Sequence, residues 1–242
     1  MAEGELHIFA DQAALARGVA EHIADRAVAA IAARGRFTLA LAGGSTPRPA
    51  YARLAQPAFA QRIAWAHVHL FWGDERCVPP HHPDSNYRMA HEALLAHVPI
   101  PPANIHRMRG ELPPEIAATA YAASLREVFE ETSLPRFDLI LLGLGEDGHT
   151  ASLFPGGDAL HEQTRWVVAH YVEKLAAWRL MLTPPVINAA AEICFVVAGA
   201  DKAARLHEVR HGPYAPAHLP AQLIARTAGR LYWLVDSAAA GK

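Results

Sequence analysis

The stretch FDLILLGLGEDGHTASLFPG, residues 137–156, combines the pattern of a buried strand with a glycine-rich turn. Gly143, Gly145 and Gly148 have the G-x-G-x-x-G spacing that is typical of dinucleotide-binding turns. Such a turn presents backbone N–H groups to a pyrophosphate and leads into a long helix. The spacing alone therefore raises the hypothesis of a nicotinamide or flavin enzyme.

Two features of this turn oppose a dinucleotide. Glu146 and Asp147 stand beside the position of the phosphates, where carboxylates would repel the ligand. Pro155 limits a helix that begins at Gly148 to little more than one turn. The stretch therefore predicts a loop that presents acids and the imidazole of His149, and a nicotinamide enzyme is the least favoured function.

Composition bounds the class of protein. The chain has 242 residues, which is enough to bury a substantial core, and we expect a single α/β domain over 1–242. The formal net charge is −2, and no segment collects Lys and Arg to neutralise a phosphate backbone. No apolar run reaches the roughly 18 residues that span a bilayer. We expect neither a nucleic-acid nor a membrane partner.

Cysteine and histidine usage gives no sign of a metal protein. Cys77 and Cys194 lie far apart, and the 15 histidines are scattered without H-x-x-x-H or H-E-x-x-H spacing. The first residues, MAEGELHIFADQ (1–12), lack the basic and apolar regions of a signal peptide. We expect a cytoplasmic protein without a dedicated zinc site.

Short apolar runs alternate with longer amphipathic ones, which is typical of βα units and of a mainly parallel, Rossmann-like sheet flanked by helices. Strands are predicted at 6–10, 37–43, 67–73, 137–143, 166–169, 179–183, 192–199 and 230–236. Helices are predicted near 11–34, 47–56, 85–97, 113–132, 184–190, 201–210 and 216–225, with Asp11 and Ser85 as N-caps and Gly35 as a C-terminal stop. Because open α/β sheets bind ligands at the carboxyl ends of their strands, polar residues that follow the strands are the first candidates for a site.

The first such loop is AGGSTPRPAY, residues 42–51. Gly43 and Gly44 allow the backbone to approach a ligand closely, and Ser45 and Thr46 offer hydroxyls before the next helix. One interpretation is a phosphate site built from N–H groups and a helix N-terminus. The other is a tight turn with an ordinary helix cap, and the loop alone leaves both open.

The second loop is FWGDERCVPPHHPDSNYRMA, residues 71–90. Asp74 and Arg76 directly follow a buried strand, which makes them candidates for a site. Glu75 and Arg88 are equally consistent with a solvated salt-bridge cluster and with a functional role.

Three more residues are candidates by position. An imidazole titrates near neutral pH, so His149 can act as a base, with Asp147 to orient it or to bind substrate hydroxyls. The alternative is a loop histidine whose ring is satisfied by the backbone. Arg179 in a predicted strand and Lys202 at a predicted helix start are either ligand groups or surface charges.

Taken in this order, the motifs resemble the 6-phosphogluconolactonase family, within the glucosamine-6-phosphate isomerase/6-phosphogluconolactonase superfamily. The resemblance spans essentially the whole chain and is carried by AGGSTP (42–47), FWGDER (71–76), DSNYRMA (84–90), LGLGEDGHTASLFPG (142–156), RLMLTPPVINAA (179–190), VVAGADKA (196–203) and LYWLVDSAAA (231–240). It implies the sugar-phosphate isomerase/deaminase type of fold. It also implies hydrolysis of 6-phospho-D-glucono-1,5-lactone in the cytosolic oxidative pentose phosphate pathway, no cofactor and, most simply, a monomer.

The resemblance also suggests roles for the candidates. Lactone hydrolysis needs an activated water, donors for the developing oxyanion and a proton for the ring oxygen. His149 is expected to move the proton, Asp147 and Asp74 to position imidazole or sugar hydroxyls, and Glu146 to be structural. Neither a covalent nucleophile nor a metal is required for this reaction, and Ser45 and Ser152 lack the G-x-S-x-G elbow of a serine-hydrolase triad. The residues expected to bind substrate or phosphate, one cation of which could serve the oxyanion instead, are Gly43, Gly44, Ser45, Thr46, Arg76, Arg179 and Lys202.

Two alternatives remain beside the lactonase. Glucosamine-6-phosphate deaminases share a D-G-H loop, but their second loop typically reads M-D-E-Y, whereas this chain has GDER at 73–76. A non-catalytic sugar-phosphate sensor would bind ligand without turnover. The Asp147–Gly148–His149 sequence disfavours a sensor, because a protein that only binds its ligand does not need a histidine base held by an aspartate.

Overall fold

The computed structural model describes residues 4–130, 134–224 and 229–242. Its strands are β1 (Glu5–Phe9), β2 (Phe37–Leu41), β3 (Val68–Trp72), β4 (Asp74–Arg76), β5 (Leu139–Leu142), β6 (Val167–Val172), β7 (Ala177–Leu182), β8 (Glu192–Val197) and β9 (Arg230–Asp236). Its helices are α1 (Gln12–Arg34), α2 (Arg48–Leu54), α3 (Pro57–Ala60), α4 (Asn86–Ala93), α5 (Pro114–Phe129), α6 (Pro184–Asn188) and α7 (Ala203–His211). Short 3₁₀ turns supply several of the connections.

A six-stranded parallel sheet in the order β1-β9-β8-β5-β2-β3 organises the molecule. Every residue of β2, β5 and β8 is buried, which explains why these strands are largely apolar and do not alternate apolar with polar residues. The predicted mainly parallel α/β architecture is confirmed.

Alternate side chains of the parallel strands pack in two hydrophobic clusters, one on each face of the sheet. In β5, Leu139 and Leu141 pack in the cluster that contains α1, α2 and α4, whereas Ile140 and Leu142 pack in the cluster that contains α5 and α6. Successive side chains of a strand point to opposite faces, so helices on both faces are needed to keep this sheet out of water.

The predicted caps set the ends of the longest helix and of α4. Asp11 accepts a hydrogen bond from the N–H of Ala14 at 2.7 Å, and Gly35 ends α1 in the left-handed conformation with φ of 74°. Ser85 caps α4 by accepting from the N–H of Arg88 at 3.2 Å. The predictions for these termini are confirmed.

The strands predicted at 166–169 and 179–183 exist, but they lie outside the parallel sheet. They are β6 and β7, an antiparallel hairpin whose second strand also pairs with β4. A 3₁₀ turn at Glu173–Leu175 and the left-handed residue Ala176 join them. So short a connection fits antiparallel pairing, because a parallel pair needs a crossover of a dozen or more residues. Asp74–Arg76, expected in a loop, is therefore the short strand β4.

The helix predicted at 216–225 is wrong. The structure has a 3₁₀ turn at Pro220–Leu223 there, and the last predicted residue lies outside the described part of the chain. Pro220 lacks the N–H that a continuous helix from 216 would need.

Other predicted helices exist with shorter bounds. The 85–97 segment divides into α4 and a 3₁₀ turn at Leu95–His97, and the 201–210 segment begins with a 3₁₀ turn at Ala200–Lys202 before α7. The segment 113–132 forms α5, which ends at Glu130 with φ of 50°, and positions 131–132 lie outside the described residues. The 47–56 and 184–190 segments shorten to α2 and α6.

The strand order places four polar loops side by side. Since β8, β5, β2 and β3 are neighbours and run parallel, the loops that leave their carboxyl ends meet at one edge. None of the helices in the described part of the chain combines the length and apolarity that a membrane span requires.

A histidine pair beneath β3 makes the fold sensitive to acid. His69 Nδ1 and His106 Nε2 lie 3.2 Å apart, and the His106 ring stacks on Phe71 with centroids 4.4 Å apart. Burial, aided by the charge of His69, lowers the pKa of His106 to about 4. The unfolded value is about 6.5, so the unfolded chain takes up its proton first as pH falls.

We therefore expect the free energy of unfolding to fall as pH is lowered from about 6.5 through about 4. His106→Gln should weaken this dependence, because glutamine does not titrate. Urea unfolding at several pH values in this window measures the effect, with the exposed histidine variant His81→Gln as control. An identical pH dependence in wild type and His106→Gln would contradict the assignment.

Candidate active site

A cavity of about 580 Å³ opens at the edge where the four loops meet. All of the predicted site residues except Asp147 and Arg179 line it. The structure thus brings residues from positions 43 to 202 into one concave site, as expected for the carboxyl edge of a parallel sheet.

The glycines of the 142–156 stretch shape the backbone around His149. Gly148 has φ of 82°, a conformation that favours glycine. A Cβ on Gly145 would lie 2.0 Å from His149 Nδ1, so only glycine leaves room for the imidazole there. The loop is closed by the N–H of Gly145, which donates to the carbonyl of His149 at 2.8 Å. The glycine spacing that is typical of dinucleotide turns here accommodates an imidazole.

His149 and Asp147 form the central pair of the site. Nδ1 of His149 lies 2.5 Å from Oδ1 of Asp147, and the ring packs on Phe154 with centroids 4.4 Å apart. In the described residues, no protein group hydrogen-bonds to His149 Nε2. When the neutral ring donates from Nδ1 to Asp147, its lone pair is on Nε2. Because His149 lines the cavity, this nitrogen can accept a proton from a molecule bound there.

Lys174, which the sequence gave no reason to select, contacts the same aspartate. Its Nζ lies 3.0 Å from Oδ2 of Asp147, so this carboxylate has His149 on one oxygen and an ammonium on the other. Partial burial raises the pKa of Asp147, but the contacts with Lys174 and His149 outweigh burial and hold it well below its usual range. Asp147 is therefore ionised throughout the neutral range.

Asp74 joins three of the loops. Its Oδ2 accepts a hydrogen bond from Ser152 Oγ at 2.7 Å, and Nδ2 of Asn86 donates to its backbone carbonyl at 2.8 Å. The first loop packs on the same amide, because a Cβ on Gly43 would lie 2.0 Å from Asn86 Oδ1. Asp74 is only 8% exposed, and the part that remains open faces the cavity.

Glu75 fits neither interpretation that the sequence left open. It is buried, and its carboxylate accepts hydrogen bonds from the N–H groups of Asn86 at 2.7 Å and Tyr87 at 2.8 Å, at the start of α4. Burial raises its pKa, and these backbone donors oppose the shift. Glu75 thus anchors α4 beneath the cavity. Arg88 forms an exposed i,i+4 ion pair with Glu92 at 2.7 Å.

Two cations line the cavity directly. Arg76 donates from Nη1 to the carbonyl of Asp84 at 2.6 Å, while its buried Nε has no hydrogen-bond partner among the described residues. Lys202 has a side chain only 18% exposed, and its Nζ lies 3.2 Å from Asp201 and 3.4 Å from Glu146. Both cations are held in place by protein oxygens and retain donors for an anion.

Arg179 occupies a different position from that expected. It pairs with Arg76 across the β4–β7 ladder, and its Nη1 donates to the carbonyl of Trp178 at 3.1 Å. Burial and the neighbouring Arg76 lower its pKa, while Asp74 opposes them. Arg179 stands behind Arg76 and is not one of the residues that line the cavity.

The hydroxyls of Ser45 and Thr46 do not cap the next helix. In the structure α2 has no side-chain cap, and both residues line the cavity beside Gly44, whose φ is 84°. Of the two interpretations of this loop, the ordinary helix cap is excluded. The hydroxyls remain available to a ligand.

Several known proteins are similar to this chain in sequence. The family model for glucosamine-6-phosphate isomerases/6-phosphogluconolactonase matches residues 10–233. A 6-phosphogluconolactonase of Synechocystis sp. is 46% identical over 220 residues, covering 90% of this chain and 89% of that protein. One from Nostoc sp. is 40% identical over 237 residues, covering 97% and 96%.

A solved structure shows the same fold over the whole chain. The 6-phosphogluconolactonase from Trypanosoma brucei superimposes with a TM-score of 0.86 at 27% identity, covering 100% of this chain and 99% of that one. The family model, the sequence relatives and this structure agree over nearly the full length. The chain belongs to the glucosamine-6-phosphate isomerase/6-phosphogluconolactonase family.

Proposed function

We propose that this protein hydrolyses 6-phospho-D-glucono-1,5-lactone to 6-phospho-D-gluconate, a step of the oxidative pentose phosphate pathway. The observation that carries the proposal is the His149 imidazole, held by Asp147 through Nδ1 and open at Nε2, in a cavity that also holds Arg76 and Lys202. The lactonase relatives from Synechocystis and Nostoc support the choice of substrate.

In the proposed reaction, Nε2 of His149 removes a proton from water as the water oxygen attacks the lactone carbonyl carbon. Ionised Asp147 stabilises the imidazolium that forms and keeps Nδ1 protonated. When the bond from the carbonyl carbon to the ring oxygen breaks, Nε2 returns the proton to that oxygen. The product acid then ionises, so each turnover releases one proton to solvent.

Lys174 acts in this scheme through Asp147. With Lys174 on Oδ2, the carboxylate stays ionised and its Oδ1 stays aimed at His149. We assign Lys174 as a positioning residue that the tip of the β6–β7 hairpin supplies to the loop after β5.

The phosphate of the substrate needs hydrogen-bond donors and positive charge, which the loops after β2 and β3 supply. We propose that the phosphate lies on the 43–46 loop, where exposed glycine backbone and the hydroxyls of Ser45 and Thr46 face the cavity together with Arg76. The guanidinium of Arg76 supports this placement, because it lines the cavity and can pair with an anion there. Lys202 and Asp74 also line the cavity as candidate substrate contacts, whereas Arg179, behind Arg76, is proposed to act on the phosphate through its charge.

The scheme uses neither a covalent nucleophile nor a metal. Among the described residues, no serine or cysteine hydrogen-bonds to His149, and Ser152 donates to Asp74 instead. In this scheme His149 therefore takes its proton from a water molecule. We further propose that the protein is a monomer, folded as one domain over 1–242, that works in the cytoplasm without a cofactor.

The function itself is tested by assaying 6-phosphogluconolactone and glucosamine 6-phosphate side by side. We expect acceleration of lactone opening above the spontaneous rate and no release of ammonia from the amino sugar. Ammonia release without lactone turnover would assign the deaminase activity instead. Saturable binding of 6-phosphogluconate without any turnover would identify a sensor.

His149→Ala removes the proposed base and should lower kcat by about two to four decades. Lactone opening is followed by base uptake near neutral pH, with an enzyme-free sample to subtract the spontaneous reaction. The surface variant His81→Ala controls for general effects of losing a histidine. A loss below about threefold in a correctly folded His149→Ala protein would remove His149 from the role of base.

Gly145→Ala tests whether the loop glycines serve the imidazole. The added Cβ would overlap His149 Nδ1, so the ring must move away from Asp147 and kcat should fall by about tenfold or more. Gly143→Ala is the matched comparison, since its Cβ would meet no atom within 4 Å, and it should lower kcat far less. Equal kcat values for the two variants would contradict this explanation of the spacing.

Arg179→Ala distinguishes phosphate binding from transition-state stabilisation. Loss of a cation beside Arg76 should mainly raise KM, with kcat nearly unchanged. Initial rates over a range of lactone concentrations separate the two constants. If kcat falls while KM stays constant, Arg179 serves the oxyanion instead of the phosphate.

A further inference from the structure

Three potential metal ligands from distant parts of the chain meet outside the catalytic cavity. His22 lies on α1, and Glu192 and Cys194 lie two residues apart on β8, so their side chains point to the same face of the sheet. That face packs against α1. An imidazole, a carboxylate and a thiol are therefore brought together between the longest helix and a central strand.

The three ligand atoms are close enough to share one ion. Cys194 Sγ lies 3.4 Å from His22 Nε2 and 3.9 Å from Glu192 Oε1, and His22 Nε2 hydrogen-bonds directly to Glu192 Oε1. All three atoms lie within 4.8 Å of one another. Ligand atoms around a tetrahedral zinc ion are separated by about 3.3–3.6 Å, so a small separation of the His22–Glu192 pair would admit the ion.

Two members of the cluster are buried, and the third is partly exposed to solvent. Glu192 is 4% exposed and Cys194 is fully buried, whereas the side chain of His22 is 19% exposed. His22 borders a surface groove of about 640 Å³. Three carboxylates, those of Asp11, Glu21 and Asp25, and two guanidinium groups, those of Arg17 and Arg53, also line this groove, which gives the cluster a route to solvent.

We propose that one zinc-class divalent cation binds to His22 Nε2, Glu192 Oε1 and the thiolate of Cys194, with water as the fourth ligand. Imidazole with thiolate favours zinc over magnesium or calcium, which prefer oxygen ligands only. Arg26 lies 3.6 Å from Oε2 of Glu192 and leaves Oε1 for the ion. None of the three ligands lines the catalytic cavity, so the bound ion ties α1 to β8 and takes no part in lactone hydrolysis.

Binding must be coupled to release of a proton. Burial and Glu192 raise the pKa of Cys194, and Arg26 opposes them, so the metal-free protein carries a thiol. The ion takes up the space between His22 Nε2 and Glu192 Oε1, the two atoms that hydrogen-bond to each other in its absence. Tyr232, the register partner of Cys194 on β9, packs edge-on against His22. Because the thiol must lose its proton to bind the ion, metal affinity should rise with pH.

A titration of chelator-treated full-length protein with Co²⁺ tests the proposal, because cobalt bound to a thiolate gives a charge-transfer band. We expect one equivalent to bind with this band in wild type and in Cys77→Ser, which removes only the other thiol. Cys194→Ser should lose the band, and His22→Gln should weaken binding at least tenfold. Zn²⁺ should raise the melting temperature of wild type more than that of either cluster variant.

Three results would overturn the assignment. They are the absence of a stoichiometric Co²⁺ complex in wild type, an unchanged charge-transfer band in Cys194→Ser, and loss of the band in Cys77→Ser alone. The wild-type titration needs no substitution, so the test does not depend on the folding of a variant. Lactonase activity is not its readout, which keeps this test separate from that of the proposed function.

Discussion

Burial of both faces of the parallel sheet is the constraint on which the rest of this structure depends. Strands β2, β5 and β8 have no exposed residue, so the polar side chains that line the catalytic cavity lie beyond the strand ends. Because neighbouring strands run in the same direction, the loops after them emerge at one edge. The cavity with His149, Arg76 and Lys202 follows from that geometry.

A buried polar junction beneath the cavity then holds the loops in register. Asp74 accepts from Ser152 in the loop after β5, and Asn86 at the start of α4 donates to Asp74 and packs on Gly43. Hydrogen bonds to charged groups contribute about 1.5–3 kcal/mol each, and removing one partner leaves the other buried and unsatisfied. The junction is therefore costly to disturb, and it fixes distances between loops that are remote in sequence.

The sequence predicts the parts of the fold and site that depend on short-range pattern. Apolar runs identified the parallel strands, Asp11 and Ser85 identified helix starts, and the position after a strand identified His149, Asp74, Arg76 and Lys202. The antiparallel pairing of β6 with β7 was not predicted, because a short apolar run has the same pattern in parallel and antiparallel sheets. Lys174, and the cluster of His22, Glu192 and Cys194, depend on contacts between distant segments, and no local spacing marks them.

The central claim is that the His149 imidazole, held by Asp147, is the base for lactone hydrolysis. The most direct test is to add imidazole to the His149→Ala protein and to follow opening of 6-phosphogluconolactone, with the enzyme-free reaction at the same imidazole concentration subtracted. We expect a saturable recovery of the enzymatic rate, because free imidazole can occupy the space left beside Asp147. No rate above the enzyme-free control at any imidazole concentration would contradict it.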